Sequence, residues 1–359
     1  MTSIPHLAAH LDGYASNLAS VRRHLARDAG IILGAYRPLL TMAGLYLVVA
    51  FLPGVFGYRH PPTAVLMPLM STMAALGALL LPVAIISAGL ALRMAHVLLT
   101  LALFIVIEYA ALGIKSNLAA ISPWSWDGIL AGLDRALFMG THPWRLLHRL
   151  ADHPHVTLML DATYKLWMLI LIASWFLVAF RIRDDGLRIR YFLAFVLTWA
   201  VGGNLLAYAI SSAGPAFLEH LGADSAAAYA DLMAYLRSLH SEHGLTAIHL
   251  QTLLWQEYLA GNNDLGGISA FPSMHNALAA LMALAAWRVH RGLGILMTAF
   301  TALIFAGSIL LAWHYAIDGI AGIAIAFMCW QLAGRIARHL DRRPETRRYR
   351  ALLRATANR

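Results

Sequence analysis

Long apolar stretches constrain this chain more than any other feature of its sequence. Several reach the roughly 20 residues that an α-helix needs to cross a bilayer, and short segments rich in Arg, Pro or Gly separate them. Hydrophobic residues make up 60% of the chain and charged residues only 13%, too few to cover a soluble domain. The pattern predicts an all-α, polytopic membrane protein built as a helical bundle.

About eight membrane-spanning helices are expected. They lie near residues 31–52, 64–89, 94–113, 160–181, 190–213, 273–289, 292–313 and 316–338. The chain then divides into five parts: a cytoplasmic N-terminal segment (1–30), accessory helices (31–113), a non-cytoplasmic interfacial segment (114–159), a catalytic core (160–338) and a basic cytoplasmic tail (339–359). The first thirty residues lack an early apolar core and a small-residue cleavage site, so no removable signal peptide is expected.

The distribution of arginine predicts the orientation. Arginines precede the first span, flank the short connections near 181–190 and 288–291, and crowd the tail, where nine lie between Arg335 and Arg359. Positive residues accumulate on the cytoplasmic side, so both termini are predicted to be cytoplasmic. The formal charge of +9 therefore indicates a tail near anionic lipid, and no nucleic-acid partner is expected.

Two long connections, 114–159 and 214–272, then face the non-cytoplasmic side. The second carries six acidic residues against Arg237 alone, which agrees with this assignment. The amphipathic stretch 124–150 in the first predicts interfacial helices in the headgroup layer. Anchoring by an aromatic belt and a role in lipid access both remain open for it.

A polar, glycine-rich segment, residues 261–275, leads into the predicted span at 273–289. It brings Ser273 and His275 to a helix start, and Pro272 fits the position just before it. A helix N-terminus presents unpaired N–H groups and a positive dipole end, and glycine lets the backbone approach an anion closely. The segment therefore predicts a phosphate site, although taken alone it is more typical of a surface turn.

His314 and Asp318 lie four residues apart at the non-cytoplasmic junction between the last two predicted spans. On a helix they share a face, so the carboxylate can hold one imidazole nitrogen and leave the other as nucleophile or base. A structural His–Asp pair at a buried turn is the alternative. Ionisable groups are costly at membrane depth and usually functional there, which favours a catalytic pair.

Together the two segments resemble the type 2 phosphatidic acid phosphatase superfamily. Its motifs read Pro-Ser-Gly-His and, later, Ser-Arg-(five residues)-His-(three residues)-Asp. Pro272, Ser273 and His275 match the first motif, and His314 and Asp318 match the second. The resemblance implies a six-helix catalytic core in which the later histidine attacks phosphorus, the aspartate stabilises its imidazolium and the earlier histidine protonates the leaving oxygen, without a metal or other cofactor.

The chain departs from the phosphatase motifs at three matched positions. Met274 replaces glycine, Gly307 replaces serine, and Ser308 replaces the phosphate-binding arginine. The first phosphatase motif, a lysine followed seven residues later by Arg-Pro, is absent. These changes resemble the branch that contains fungal inositol phosphorylceramide synthase, and the segments 161–165 and 212–215 are similar to that branch as well.

The resemblance covers roughly residues 160 to 330 and leaves open how phosphate is held without the arginine. Lys165, near the non-cytoplasmic end of its span, is the candidate ligand, and a snorkelling anchor is an equally open interpretation. Tyr164 and Ser273 are further candidate phosphate-binding residues.

The resemblance predicts a metal-independent lipid phosphotransferase of phospholipid or sphingolipid biosynthesis. It moves a phospho-headgroup from a phospholipid donor to a lipid alcohol through a phosphohistidine. Hydrolysis of a lipid phosphate or polyprenyl pyrophosphate, with water as acceptor, is the alternative function. The Ala- and Arg-rich composition and short cytoplasmic turns favour a bacterial inner membrane with a periplasmic active site.

Two other classes of protein are alternatives to a lipid phosphotransferase. Two histidines and a carboxylate, His275, His314 and Asp318, can bind zinc in a metal hydrolase, but the flanking Pro-Ser and the paired spacing favour phosphohistidine chemistry. The one cysteine, Cys329, excludes a disulfide within the chain and a cysteine zinc site. A transporter needs a polar pathway, and Glu108 and Lys165 are its main interior candidates, without the paired interrupted helices of many transporters.

Overall fold

The computed structural model describes most of the chain: residues 4–56, 58, 88–150, 153–181, 184–262 and 266–357, with isolated positions in 71–78. These residues are mostly helical and include no β-strand. The predicted all-α class is confirmed.

The first half contains α1 Ile4–Val55, α2 Ala88–Lys115, α3 Leu118–Ile121, α4 Asp127–Leu137, α5 Pro143–Leu150, α6 Pro154–Phe180 and α7 Asp185–Thr198. α7 continues through a π-helical segment, Trp199–Leu206, into the short α8, Ala207–Ala209. After two 3₁₀ turns, Pro215–Phe217 and Asp224–Tyr229, follow α9 Ala230–His243, α10 Thr246–Leu259, α11 Met274–Val289, α12 Arg291–Leu310, α13 Ala316–Asp341 and α14 Pro344–Ala357.

Six helical segments in the described part of the chain are long and apolar enough to cross a membrane. They are Ala29–Val55, Leu92–Ile121, Pro154–Phe180, Asp185–Ala209, Arg291–Leu310 and Ala316–Asp341, and they coincide with six of the eight predicted spans. The predicted span at 273–289 forms α11, whose 16 residues extend about 24 Å, less than a hydrocarbon core of about 30 Å. The predicted span at 64–89 lies almost entirely outside the described residues.

The short helix α11 is packed inside the bundle against α6, α7, α12 and α13. Most of its residues are buried, and many are alanines, whose small side chains let helices approach closely. The contact with α13 needs Gly322, because a Cβ there would lie 2.4 Å from the Ser273 carbonyl oxygen. The Ser273 amide also donates to the Asp318 carbonyl at 3.0 Å. Close packing thus joins the starts of α11 and α13, where the two sequence motifs lie.

The amphipathic stretch near 124–150 forms α4 and α5, and α4 exposes three large apolar side chains while it buries two acidic ones. Its side chains Ile129, Leu133 and Leu137 are 52%, 44% and 56% exposed, whereas Asp127 and Asp134 are buried. An outward apolar face is typical of a helix that lies against lipid, and the interfacial location of α4 stays a prediction.

The basic tail, which the sequence indicated only as a lipid-facing segment, packs as helix α14 against α1 and α2. Tyr349 and Leu353 are buried, and Arg350 bridges Asp185 and Asp341. Asp185 also pairs with the buried Arg188. Ion pairs therefore connect helix α14 of the tail to the start of α7.

Replacing Asp185 with alanine should destabilise the protein by about 3–5 kcal/mol, because it leaves the Arg188 guanidinium buried without its carboxylate. The thermal unfolding midpoint in detergent measures the effect. Arg145→Ala is the matched control, since the ion pair of Arg145 with Asp231 is solvent-exposed and should matter little. Equal midpoints for both variants would contradict the predicted stabilising role of the buried pair.

Candidate active site

His314 lies in the connection 311–315 between α12 and α13, and several backbone bonds fix this turn. The His314 amide donates to the Ser308 carbonyl at 2.9 Å, and the Ala312 carbonyl accepts from the Ala216 amide at 3.0 Å. Ala312 has a φ of +60°, a conformation that non-glycine residues adopt only when their surroundings enforce it. The turn is therefore held in one conformation by contacts on both sides.

The predicted His314–Asp318 pair is present. His314 Nδ1 lies 3.5 Å from Asp318 Oδ2, and both side chains are buried. Asp318 Oδ2 accepts from the Tyr315 amide at 3.0 Å, whereas His314 Nδ1 and Asp318 Oδ1 have no hydrogen-bond partner among the described residues. A shift of a few tenths of an ångström would complete the bond, and such bonds are often long before substrate binds.

The electrostatic environment keeps His314 neutral. Burial lowers the pKa of His314 to about 3, the positive charge of Lys115 acts in the same direction, and a hydrogen bond with the Ala270 backbone opposes both. A neutral imidazole has a free nitrogen lone pair, which a nucleophile needs.

His275, the second residue of α11, is held by two aromatic rings of α6. Its ring centroid lies 4.6 Å from that of Tyr164 and 4.2 Å from that of Trp167, and Trp167 Nε1 donates to the His275 carbonyl at 3.0 Å. The centroids of His275 and His314 are 6.4 Å apart. A phosphoryl group on His314 would therefore lie beside His275.

Ser273 caps α11 and belongs to a buried polar network. Its hydroxyl accepts from Asn276 Nδ2 at 3.0 Å, and the same nitrogen donates to Ser308 Oγ at 3.1 Å. All three side chains are fully buried. Ser308, at the position of the family arginine, is thus part of the packing that joins α11 and α12.

Met274, at the position of the family glycine, is accommodated by the π-helical segment. Its sulfur lies 3.3 Å from the place where a Cβ would stand on either Gly202 or Gly203, so a larger residue there would press against the methionine. The bulkier residue in the motif is thus balanced by two small ones on the facing helix.

The segments 161–165 and 212–215 act on the site through their backbone contacts. Asp161 caps α10 by accepting from the amides of Thr246 and Ala247, both at 2.9 Å. Gly214 has a φ of +95°, and a Cβ there would lie 2.7 Å from the Trp313 carbonyl oxygen, so glycine is required beside the His314 turn.

A cavity of about 390 Å³ opens onto both histidines. Of the predicted site residues, Tyr164, Lys165, His275 and His314 line it. Asp318 lies behind His314, and Ser273 faces Asn276 instead. The structure therefore brings four predicted residues to one cavity and places the other two behind it.

A comparison with family models decides the affiliation of the chain. The model of the PAP2 superfamily matches residues 128–332, more than half of the chain. The chain belongs to the PAP2 superfamily. No curated protein and no solved structure gave a match. Membership in the PAP2 superfamily supports an activity of the phosphatase or phosphotransferase type, and the match begins in α4, upstream of the resemblance noted in the sequence.

Sequence reasoning did not assign two charged residues to this PAP2 cavity: it considered Glu108 only for a transporter and did not single out Lys115. Glu108 and Lys115 lie on α2, among helices interpreted as accessory or interfacial and before the part that matches the PAP2 model. One signal was present: Lys115 and Lys165 are the only lysines in a sequence that otherwise uses arginine.

Two buried carboxylates of α4 position the PAP2 motif. Asp134 accepts from the amides of Ala316 and Ile317 at 2.8 and 2.9 Å, at the start of α13. Asp127 accepts from the Tyr315 hydroxyl at 2.9 Å, and also from the 212–214 segment. α4 therefore fixes the turn that carries His314.

Activity should fall as the pH drops through about 6 because Asp134 loses its charge. Burial raises the pKa of Asp134 to about 6 against the lowering effect of its two amide bonds, and the charge of Asp318 raises it further. Protonation removes the charge that favours those bonds and loosens the turn. His314, with a pKa of about 3, is still neutral there.

We expect Asp134→Asn to lower kcat roughly 10-fold, because poorer positioning of the turn raises the activation free energy by about 1.4 kcal/mol. The variant should also lose the fall of kcat near pH 6. The pH profile of kcat measures both effects. If kcat of the variant still fell as the pH dropped through about 6, the fall would be due to the titration of another group.

Proposed function

We propose that this protein is a membrane lipid phosphotransferase that moves a phospho-headgroup from a phospholipid to a lipid alcohol. The observation that carries the proposal is the buried His314–Asp318 pair, which faces a cavity shared with His275 in a member of the PAP2 superfamily. Phosphoryl transfer needs a nucleophile, a general acid and positive groups around the developing charge, and the cavity supplies each.

In the first half of the reaction, the free nitrogen of His314 attacks phosphorus and the bond to the donor's lipid oxygen breaks. Asp318 stabilises the imidazolium, and His275 gives its proton to the departing alkoxide. In the second half, His275 removes the proton of the acceptor hydroxyl, whose oxygen attacks phosphorus and releases His314. This sequence needs no metal ion.

The charges around the cavity favour a phosphodiester donor. A phosphate monoester carries two charges and suits a bidentate arginine. Among the described residues that line the cavity there is no arginine, and Ser308 is committed to the network with Asn276. A phosphodiester has one charge and a bulky substituent, which suits a largely apolar cavity with two lysines. The branch of inositol phosphorylceramide synthase, with ceramide or diacylglycerol as acceptor, is our proposed affiliation.

Tyr164 and Lys165 are the proposed phosphate ligands on α6. The Tyr164 hydroxyl is buried and has no hydrogen-bond partner among the described residues, so it can donate to a phosphate oxygen. Lys165 is exposed at the cavity. Ser273 is a weaker candidate because its hydroxyl already accepts from Asn276, although its helix start still offers a positive dipole end.

The test compares acceptors directly. Purified enzyme receives a phospholipid labelled in its headgroup together with diacylglycerol or ceramide, and in separate reactions phosphatidic acid or a polyprenyl pyrophosphate. We expect a labelled lipid product in the first reaction and slow phosphate release in the others. Rapid phosphate release without any labelled lipid product would instead establish a lipid phosphatase with the same catalytic residues.

We also propose that the active site faces the periplasm of a bacterial inner membrane. A cysteine at the exposed position Asp224, in a Cys329→Ser background, should react with an impermeant thiol reagent outside intact cells. A cysteine at the exposed Arg347 in α14 should react only after lysis. The reverse labelling pattern would place the site in the cytoplasm.

A further inference from the structure

Both lysines of the chain lie at one place. Lys115, from α2, and Lys165, from α6, line the cavity that contains His275 and His314. The sequence supplies its cations elsewhere with arginine, including those beside the predicted spans. Because both lysines line one cavity, their placement favours a shared task there.

The backbone around Lys115 is fixed against the loop that leads to His275. The Tyr208 hydroxyl donates to the Ile114 carbonyl at 2.5 Å. Gly267 has a φ of +74°, and a Cβ there would stand 3.4 Å from the Lys115 carbonyl oxygen. The loop glycines, which the sequence suggested as contacts to an anion, thus let the loop pack on the end of α2.

Lys115 lines the same cavity as the two histidines, and its ammonium lies within ion-pair distance of no carboxylate among the described residues. Its charge acts on both His275 and His314. Among the residues that the structure describes, it has no hydrogen bond or ion pair. Glu108, two turns earlier on α2, also lines the cavity and its charge acts on Lys115, but its carboxylate accepts from Trp199 Nε1 at 2.9 Å and makes no direct ion pair with the ammonium. An unpaired ammonium beside an apolar wall favours an anionic ligand.

We infer that Lys115 binds the phosphate of the substrate together with Lys165, in place of the missing family arginine. The ligand class is a lipid phosphodiester, whose single charge is shared by ammonium groups from two helices. Lysine acts as a point charge and does not require the planar geometry of a bidentate arginine. The inference rests on the proposed function and makes α2 part of the active site.

The first experiment detects binding without turnover. In a Lys165→Arg, His314→Ala variant, Lys115 is the only lysine of the chain. The probe is pyridoxal phosphate, whose aldehyde condenses with the amine to an imine and whose phosphate directs it to anion sites; borohydride then supplies the hydride that reduces the imine to a stable amine. Peptide mass spectrometry separates this product from a modified α-amine.

We expect rapid modification of Lys115 and a slowing of several-fold when a short-chain phosphodiester lipid is added. A lysine that reacts equally fast with and without the phosphodiester, or reacts only after unfolding, overturns the inference. Because the variant lacks His314, neither result depends on the proposed chemistry.

The second experiment uses the active enzyme. Lys115→Gln should raise KM for the phosphodiester donor roughly 10- to 100-fold, the effect of losing one charge-assisted hydrogen bond, and Lys115→Arg should recover part of it. Arg93→Gln, which removes a half-buried cation near the other end of α2, is the matched control and should leave KM unchanged. A normal KM in Lys115→Gln, in an enzyme that His314→Ala inactivates, would overturn the role of Lys115 and leave the proposed function intact.

Discussion

Replacing His314 with alanine should lower turnover by on the order of 10⁴-fold or more, because the variant has no atom to carry the phosphoryl group. The side chain is buried at the cavity, and the backbone bonds that hold its turn, from the His314 amide to Ser308 and from the Ala216 amide to Ala312, do not involve it, so the variant should stay folded in the membrane. Turnover is measured as labelled headgroup transferred to a lipid alcohol. His249→Ala, at an exposed histidine of α10, is the control and should keep full activity.

Trapping of the intermediate separates a nucleophile from a residue that only shapes the site. Donor labelled at phosphorus, quenched in alkali, should leave an acid-labile label on the wild-type chain and none on His314→Ala. The Asp318→Asn variant should acquire the label slowly. In the wild-type protein the Asp318 carboxylate lies 3.5 Å from His314 Nδ1, and the amide that replaces it does not stabilise the imidazolium. Wild-type rates in His314→Ala would exclude the covalent mechanism.

Replacing His275 with alanine should slow the reaction by roughly 10² to 10⁴ with a natural lipid donor and far less with a donor that carries a nitrophenyl leaving group. A nitrophenolate leaves without a proton, whereas a lipid alkoxide does not. Contacts with the rings of Tyr164 and Trp167 hold His275 at the cavity that it shares with His314. The ratio of kcat for the two donors measures the general-acid contribution.

The stacked position of His275 also calls for a structural control. Trp167→Phe keeps an aromatic ring against His275 but removes the donor to its carbonyl, so a modest and equal loss with both donors is expected. If His275→Ala instead raised only KM, or slowed both donors equally, the general-acid assignment would be wrong.

Membrane spans and motif residues were accessible to sequence reasoning because each depends on local pattern. The apolar stretches predicted six of the helices that are long enough to span, and the motif predicted that His314 and Asp318 are neighbours, although His314 lies in the turn before α13 and not on the same helix face. Family membership, inferred from the same motifs, is confirmed. The proposed branch and the roles of the individual residues stay predictions.

Other features depended on contacts between residues far apart in the chain. The pattern of α4 indicated an interfacial helix, yet no local signal showed that Asp134 would bond the start of α13. Likewise, nothing in the local sequence indicated that Ser308 would accept a hydrogen bond from Asn276. Nor did it indicate that Met274 would pack against Gly202. Each of these depends on which helices become neighbours.

The sequence by itself determined that the chain is a helical membrane protein, and its motifs predicted two histidines and an aspartate as candidate catalytic residues, because hydrophobic length and residue spacing act along the chain. Only the tertiary structure decided which charged groups line the cavity with those residues. Lys115 stands 199 positions before His314 in the sequence, and packing of α2 against α6 brings it to the same cavity. The free-energy cost of burying a charge is offset only where groups that interact with it come together, and the fold determines where they do.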